Sequence, residues 1–181
     1  MRKINEIFYS LQGEGFHTGT AAIFIRFSGC NLKCDFCDTV HESGEFLSDE
    51  DILQKISAFQ SKHVVLTGGE PSLWIDEAFV AKLKSAGYFV QIETNGTHSI
   101  PENVDWITCS PKNAPLAIHK AHELKVVFTS SDFVGKFNDF DCQHRFLQPL
   151  SCGNTVEVVD YILLHPEWRM SLQTHKLINI Q

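Results

Sequence analysis

The sequence predicts an incomplete, open β/α barrel of about six mostly parallel strands. Short, nearly uninterrupted apolar runs alternate with amphipathic helical patterns, as in a parallel sheet covered by helices. The chain has 181 residues, too few for a closed eight-stranded barrel of the usual ~250. Polar or glycine-rich clusters also recur just past the strand ends: SGCNLKC, TGGEP, TNGT, SPK and QPLS. In open β/α folds that edge is where ligands gather, so the clusters predict one shared site.

Each element follows from its local pattern. AAIFIRF (21–27) reads as a strand of Ile and Phe interrupted only by Arg26. SDEDILQKISAF is a helix, with Ser48 as N-cap, acids in the first turn, and Ile52, Leu53, Ile56 and Phe59 on one face. HVVLT (63–67) is a strand, GGEPS a turn, and LWIDEAFVAKLKSAG a helix stopping near Gly87. YFVQIET, DWITCS (105–110), HELKVVF (122–128) and HRFLQPL (144–150) read as further strands, the last ended by Pro149. NTVEVVDYILLHP is a helix with Asn154 as cap, and RMSLQT a closing strand. Nothing is assigned before residue 21, where LQGEG passes for a loop. No linker or repeat divides the chain, so residues 1–181 are expected to form one domain.

Hydrophobic residues make up 43% of the chain, enough for one core, and the formal net charge is -7. An acidic surface gives no electrostatic ground for nucleic-acid binding, so a small polar metabolite or a protein is the expected partner. No apolar run approaches the roughly 20 residues that span a bilayer, and MRKINEIFYS lacks a secretory pattern. A cytoplasmic location without membrane attachment is expected.

Cysteines stand at 30, 34, 37, 109, 142 and 152. Clustered cysteines in a reducing compartment more often bind metal or do redox chemistry than pair. Cys30, Cys34 and Cys37 form C-x3-C-x2-C with no fourth cysteine at ligand spacing. A zinc tetrahedron would need His41 or a distant cysteine to complete it. Three soft thiolates can instead hold three irons of a four-iron, four-sulfur cluster and leave the fourth iron to an outside ligand. Cys109, Cys142 and Cys152 stand apart and read as small buried or neutral side chains.

Other residues carry open readings. Arg26 inside an apolar strand needs a carboxylate or phosphate, from an internal salt bridge or from a ligand. ETNGT (93–97) is either a plain turn or part of a site wall, and Lys112 in CSPK either lines a site or is solvated. His98, His119, His122, His144, His165 and His175 show no metal-pair or triad spacing. His175, in QTHK, is the one least easily set aside.

The C-x3-C-x2-C spacing, with Phe36 just before Cys37, resembles the signature of radical S-adenosylmethionine (SAM) enzymes, and TGGEP resembles the superfamily's GGE element. The resemblance implies a 4Fe-4S cluster on Cys30, Cys34 and Cys37 whose open iron is chelated by S-adenosyl-L-methionine. Reduction then yields a 5′-deoxyadenosyl radical, so no protein side chain is expected to be catalytic. Cofactor contacts are implied for Phe36, Cys37, Asp38, Gly69, Ser110, Pro111, Lys112, Gln148, Pro149, Leu150 and Ser151.

FYSLQGEGFHTGTAAIFIRFSGCNLKCDFCDT and the final SLQTHKLINI are similar to the 7-carboxy-7-deazaguanine synthase family of the queuosine and deazapurine pathway. That likeness covers nearly the whole chain. It implies conversion of 6-carboxy-5,6,7,8-tetrahydropterin to 7-carboxy-7-deazaguanine with loss of ammonia. Leu11, Gln12, Gly13, Glu14, Arg26, Thr67 and Gln181 would meet the pterin, and Thr39 a Mg2+ ion. Gln181 stands where some relatives end in proline, a departure at that contact. A homodimer and an external electron donor of the flavodoxin or ferredoxin type are also implied. The rival inside the class is a glycyl-radical activating enzyme; outside it, a zinc-binding interaction module.

Overall fold

The computed structural model describes residues 1–181 except Asp38 and the side chain of Cys152. Seven strands run parallel: β2 (Ala21–Phe27), β4 (His63–Gly68), β5 (Phe89–Thr94), β6 (Trp106–Cys109), β7 (Lys120–Phe128), β8 (Asp141–Pro149) and β9 (Arg169–Met170). β1 (Arg2–Leu11) pairs antiparallel with β2, and β3 (Glu45–Leu47) antiparallel with β1. The order across the sheet is β3-β1-β2-β4-β5-β6-β7-β8-β9. The helices are α1 (Asp49–Ile56), α2 (Glu77–Ser85), α3 (Ser131–Gly135), α4 (Thr155–Leu164) and α5 (Thr174–Leu177). The sheet is open and mostly parallel as expected, but it has nine strands among the described residues rather than about six.

Alternation along the strands sorts the side chains between two faces. On one face Ile23, Ile25, Val64, Leu66, Val90 and Ile92 pack under Ile52 and Ile56 of α1 and Phe79, Val80 and Leu83 of α2. Farther along, Leu124, Val126, Phe128 and Leu147 pack with Val134 of α3, Val158 of α4 and Trp168. The intervening residues turn to the other face. Strand register puts Arg26 beside Thr67, Glu93 beside Thr108, and Thr108 beside Glu123. Lys125 and Gln148 follow on the same side. Residues of β2, β4, β5, β7 and β8 line one cavity, so this face is concave.

Three elements depart from the sequence reading. Asn154 does not cap α4: its Oδ1 accepts from the Leu150 N–H at 2.7 Å and its Nδ2 donates to the Phe128 carbonyl at 2.9 Å. The helix after GGEPS begins late, because Pro71–Leu73 forms a separate 3-10 turn and Asp76 then caps α2 by accepting from the Phe79 N–H at 2.8 Å. RMSLQT is strand only at Arg169–Met170; beyond it Ser171 and Gln173 turn their side chains to the loop near residue 14. Ser48 caps α1 as expected, in a reciprocal capping box with Asp51. No helix among the described residues is long and apolar enough to cross a membrane.

Arg2 fastens β1 to both early helices. Its Nε donates to Asp49 at 2.8 Å, Nη2 to Asp76 at 3.2 Å and Nη1 to the Trp74 carbonyl, and the guanidinium lies 4.1 Å over the Phe79 ring. The residue is only 7% exposed. Removing one member of a buried ion pair leaves the other uncompensated, so Arg2→Met is expected to cost about 3 kcal/mol in urea unfolding. A loss below about 0.5 kcal/mol, as at an ordinary surface position, would show the anchor to be idle.

Candidate active site

The turns after β2 and β4 lie against each other through their main chains. The Gly69 N–H donates to the Phe27 carbonyl at 3.1 Å and the Glu70 N–H to the Gly29 carbonyl at 2.9 Å. A Cβ on Gly68 (φ +130) would stand 2.2 Å from the Phe27 oxygen, and one on Gly69 2.0 Å from the Gly29 oxygen. Only glycine fits this approach. Glu70, fully buried, accepts from the Ser72 N–H at 3.0 Å, the Thr94 hydroxyl at 2.7 Å and the Asn95 N–H at 2.7 Å. The glutamate therefore braces the β5 end rather than facing the cavity. Asn95 donates to Asn31 Oδ1 at 3.1 Å, and Asn31 to Thr97 Oγ1 at 2.9 Å, which ties ETNGT to the cysteine loop.

Beyond these strand ends opens a cavity of about 870 Å3. Cys30, Cys34 and Cys37, all free thiols, line it together with Phe36 and Thr39. Gly69, Ser110 and Lys112 continue the wall, and Gln148, Pro149, Leu150 and Ser151 close that side. Leu11, Gln12, Gly13, Glu14, Arg26, Thr67 and Gln181 face the same space. Pro111 is buried and does not line the cavity, whereas its neighbours Ser110 and Lys112 do. Asp38 lies outside the described residues. Lys112 donates to Ser110 Oγ at 2.9 Å; burial holds its ammonium below the ordinary lysine value, and the charge of Lys125 pushes the same way.

The cavity floor is ionic, and sequence reasoning missed most of it. Lys125 Nζ donates to Glu14 Oε2 at 2.6 Å and to Glu93 Oε2 at 3.4 Å. Burial opposes its charge, but the carboxylates of Glu14, Glu93 and Glu123 more than offset this and hold the ammonium above its ordinary value. Burial likewise opposes the charge on Glu14, yet Lys125, Gln173 and His175 keep its carboxyl low. Glu93 also accepts from Gln12 Nε2 at 2.8 Å, and Glu14 from Gln148 Nε2 at 3.2 Å and Gln173 Nε2 at 2.9 Å. His175, left as a question by the sequence, lines the cavity, and its Nδ1 would meet a Cβ on Gly13 at 2.1 Å.

Beneath that floor the loop after β1 fills the concave face. The Phe16 N–H donates to Glu123 Oε2 at 3.1 Å, and the Phe16 ring stacks on His144 and Trp106 with centroids 4.3 and 4.9 Å away. His17 packs edge-on against Trp106 and His63, at 4.5 and 4.9 Å. His122 stacks on Trp106 at 5.1 Å and accepts the Ile107 N–H at 3.0 Å. Burial is the leading cause that lowers all four imidazoles, His17, His63, His122 and His144. Burial pushes the Glu123 carboxyl up to about 7, and its Oε1 has no hydrogen-bond partner.

Among the described residues no three His, Cys, Asp or Glu side chains converge as ligands of one ion. The cysteine rim offers three soft thiolates beside an open cavity, a donor set suited to an iron-sulfur cluster with a vacant iron. Such a rim at the strand ends of an open β/α sheet is that of a radical SAM enzyme, and the profile of the radical SAM superfamily matches residues 24–123. A 7-carboxy-7-deazaguanine synthase from Bacteroides thetaiotaomicron is 57% identical over 182 residues, covering 100% of each chain. Another from Bordetella pertussis is 41% identical over 205 residues, covering 98% of each. The crystal structure of QueE from Escherichia coli superposes with a TM-score of 0.80 at 29% identity, over 96% of this chain and 94% of that one. The chain belongs to the 7-carboxy-7-deazaguanine synthase family.

The histidine layer sets a pH response. Imidazoles held below their ordinary 6.5 bind fewer protons folded than unfolded, so their contribution is complete above about 6.5 and is lost as pH falls below it. Glu123 runs the other way: raised from 4.5 to about 7, it stabilises at low pH and that stability is lost as pH rises through this window. Between pH 7 and 5 the four imidazoles therefore favour a fall in the urea midpoint on acidification and Glu123 opposes it. In Glu123→Gln the urea midpoint should drop further on acidification, relative to its value at pH 7, than in wild type, because the opposing group is gone; an equal pH dependence would refute the assignment.

Proposed function

We propose that this chain converts 6-carboxy-5,6,7,8-tetrahydropterin to 7-carboxy-7-deazaguanine with loss of ammonia, in the cytoplasm, for queuosine and deazapurine biosynthesis. The observation that carries the reading is one cavity lined by two chemically different sets of groups. The thiol rim with Ser110 and Lys112 forms one, and Arg26 with the Gln12–Glu14 segment the other. When bound, the cluster and S-adenosyl-L-methionine supply a 5′-deoxyadenosyl radical able to take hydrogen from C6 of the pterin.

The chain's own residues orient and enclose. Cys30, Cys34 and Cys37 hold the cluster. Gly69 gives main-chain approach to the methionyl end of the cofactor, and Phe36, Ser110, Lys112 and the Gln148–Ser151 segment hold the rest. Gln12, Gly13 and Glu14 supply hydrogen-bonding groups for the pterin ring, and Arg26 supplies a guanidinium for its carboxylate. Thr39 offers one oxygen to Mg2+, so substrate oxygens and water complete that shell. A homodimer and an external donor of the flavodoxin or ferredoxin type complete the proposal on the family resemblance.

Anaerobically reconstituted protein is expected to contain iron and sulfide and to form a deazaguanine chromophore from the pterin under reducing conditions. Cys34→Ala should lose both the bound iron and the product. Zinc without sulfide, or iron and sulfide with no turnover of the pterin, would sink the proposal.

A further inference from the structure

Arg26 has a neighbour that the sequence gives no reason to single out. Across the β1–β2 ladder Ile4 pairs with Phe27, but Glu6 pairs with Arg26, because the register shifts between Ile4 and Glu6. Without that bulge, regular pairing from Ile4 would set Asn5 opposite Arg26 and send Glu6 to the other face. The extra residue therefore brings a carboxylate alongside the guanidinium. Arg26 Nε donates to Glu6 Oε1 at 2.7 Å. The other carboxylate oxygen, Oε2, accepts from Gln181 Nε2 at 2.8 Å, and the Ser10 hydroxyl donates to the Gln181 carbonyl at 2.6 Å.

What this leaves open matters more than what it fills. Arg26 and Gln181 are in the cavity wall, and Glu6 is behind it. Among the described residues Nη1 and Nη2 of Arg26 have no hydrogen-bond partner. The guanidinium is 5.7 Å from the ring of Phe8, which stacks on Phe24 at 4.8 Å, and both rings line the cavity. A guanidinium is a rigid fork of five donors, so anchoring one edge fixes where the others point.

We infer that Glu6 is a positioning residue: by holding Nε of Arg26, with Gln181 beside it, Glu6 aims the two Nη groups at the substrate and makes the site selective for a pterin carrying a carboxylate. The inference rests on the substrate reading above. Glu6 need not touch the pterin. Its loss should weaken binding of a carboxylated ligand and leave a ligand without the carboxylate unaffected.

The test is fluorescence titration of the anaerobic holoenzyme, with S-adenosyl-L-methionine present, using 6-carboxytetrahydropterin and 6-methyltetrahydropterin. Wild type should favour the carboxylated pterin by about tenfold or more, as expected for a charge-assisted contact. Glu6→Ala should cut that ratio by about threefold or more through the carboxylated ligand alone. Glu6→Gln, which keeps the acceptor and loses the charge, should fall between. If Glu6→Ala does not fold by circular dichroism, Glu6→Gln gives the ratio. A variant ratio equal to that of wild type, or equal weakening of both pterins, overturns the positioning role alone. A wild type indifferent to the carboxylate overturns the substrate reading and this inference with it.

Discussion

A lysine shut away from water has to be matched by carboxylates, and the architecture of this site follows from how Lys125 is matched. The residue is 3% exposed, and its partners come from different parts of the chain: Glu14 from the loop after β1 and Glu93 from β5. Leaving any of the three unpaired in that setting is strongly unfavourable. The loop therefore has to descend onto the sheet. Once there, its neighbours are fixed: Gly13 accepts the Thr174 N–H and hydroxyl at 2.9 Å each, and Gly15 donates to Ser171 Oγ at 2.9 Å. The region after β9 is thereby drawn to the same floor.

The thiol rim is fixed without an ion pair, by main-chain contact and hydrogen bonds to a buried carboxylate. Main-chain contact between the turns after β2 and β4 brings the cysteine loop to its place, and the buried Glu70 carboxylate carries that alignment on to β5. Rim and floor thus rely on different physics, close steric fit at the thiol rim and ion pairing at the floor. They meet at β2, whose last residues include Arg26 on the concave face and Phe27 against Gly69. Ser151, a non-glycine residue in the left-handed region at φ 47, belongs to the cavity wall.

The sequence disclosed what depends on local pattern. Parallel strands such as Ala21–Phe27 and His63–Gly68 are buried enough to read as apolar runs, and C-x3-C-x2-C is a short-range signal. β1 stayed hidden because Arg2–Leu11 mixes polar and apolar residues along an antiparallel pairing that has a bulge. Asn154 looked like a cap because its residue type favours one; only the fold shows its side chain spent on Leu150 and Phe128. The site divided along the same line. Cysteines and glycine turns were legible one by one, whereas Lys125 and Glu14 lie 111 residues apart and nothing local couples them. ETNGT, with Glu93, reads from sequence as a turn or a site wall with nothing local to choose between them, and nothing local separates the buried Pro111 from its cavity-lining neighbours.

The packing of Phe16 and His17 under the cavity has a consequence for how such a scaffold can diverge. The space between the cavity floor and the strands is filled by the two aromatic side chains of one loop, Phe16 and His17. Smaller side chains at Phe16 and His17 would open space there while leaving Gln12 and Glu14 on their partners Glu93 and Lys125. Phe16 and His17 make their contacts away from Cys30, Cys34 and Cys37, so the room beneath the floor and the thiol rim are built by separate parts of the chain.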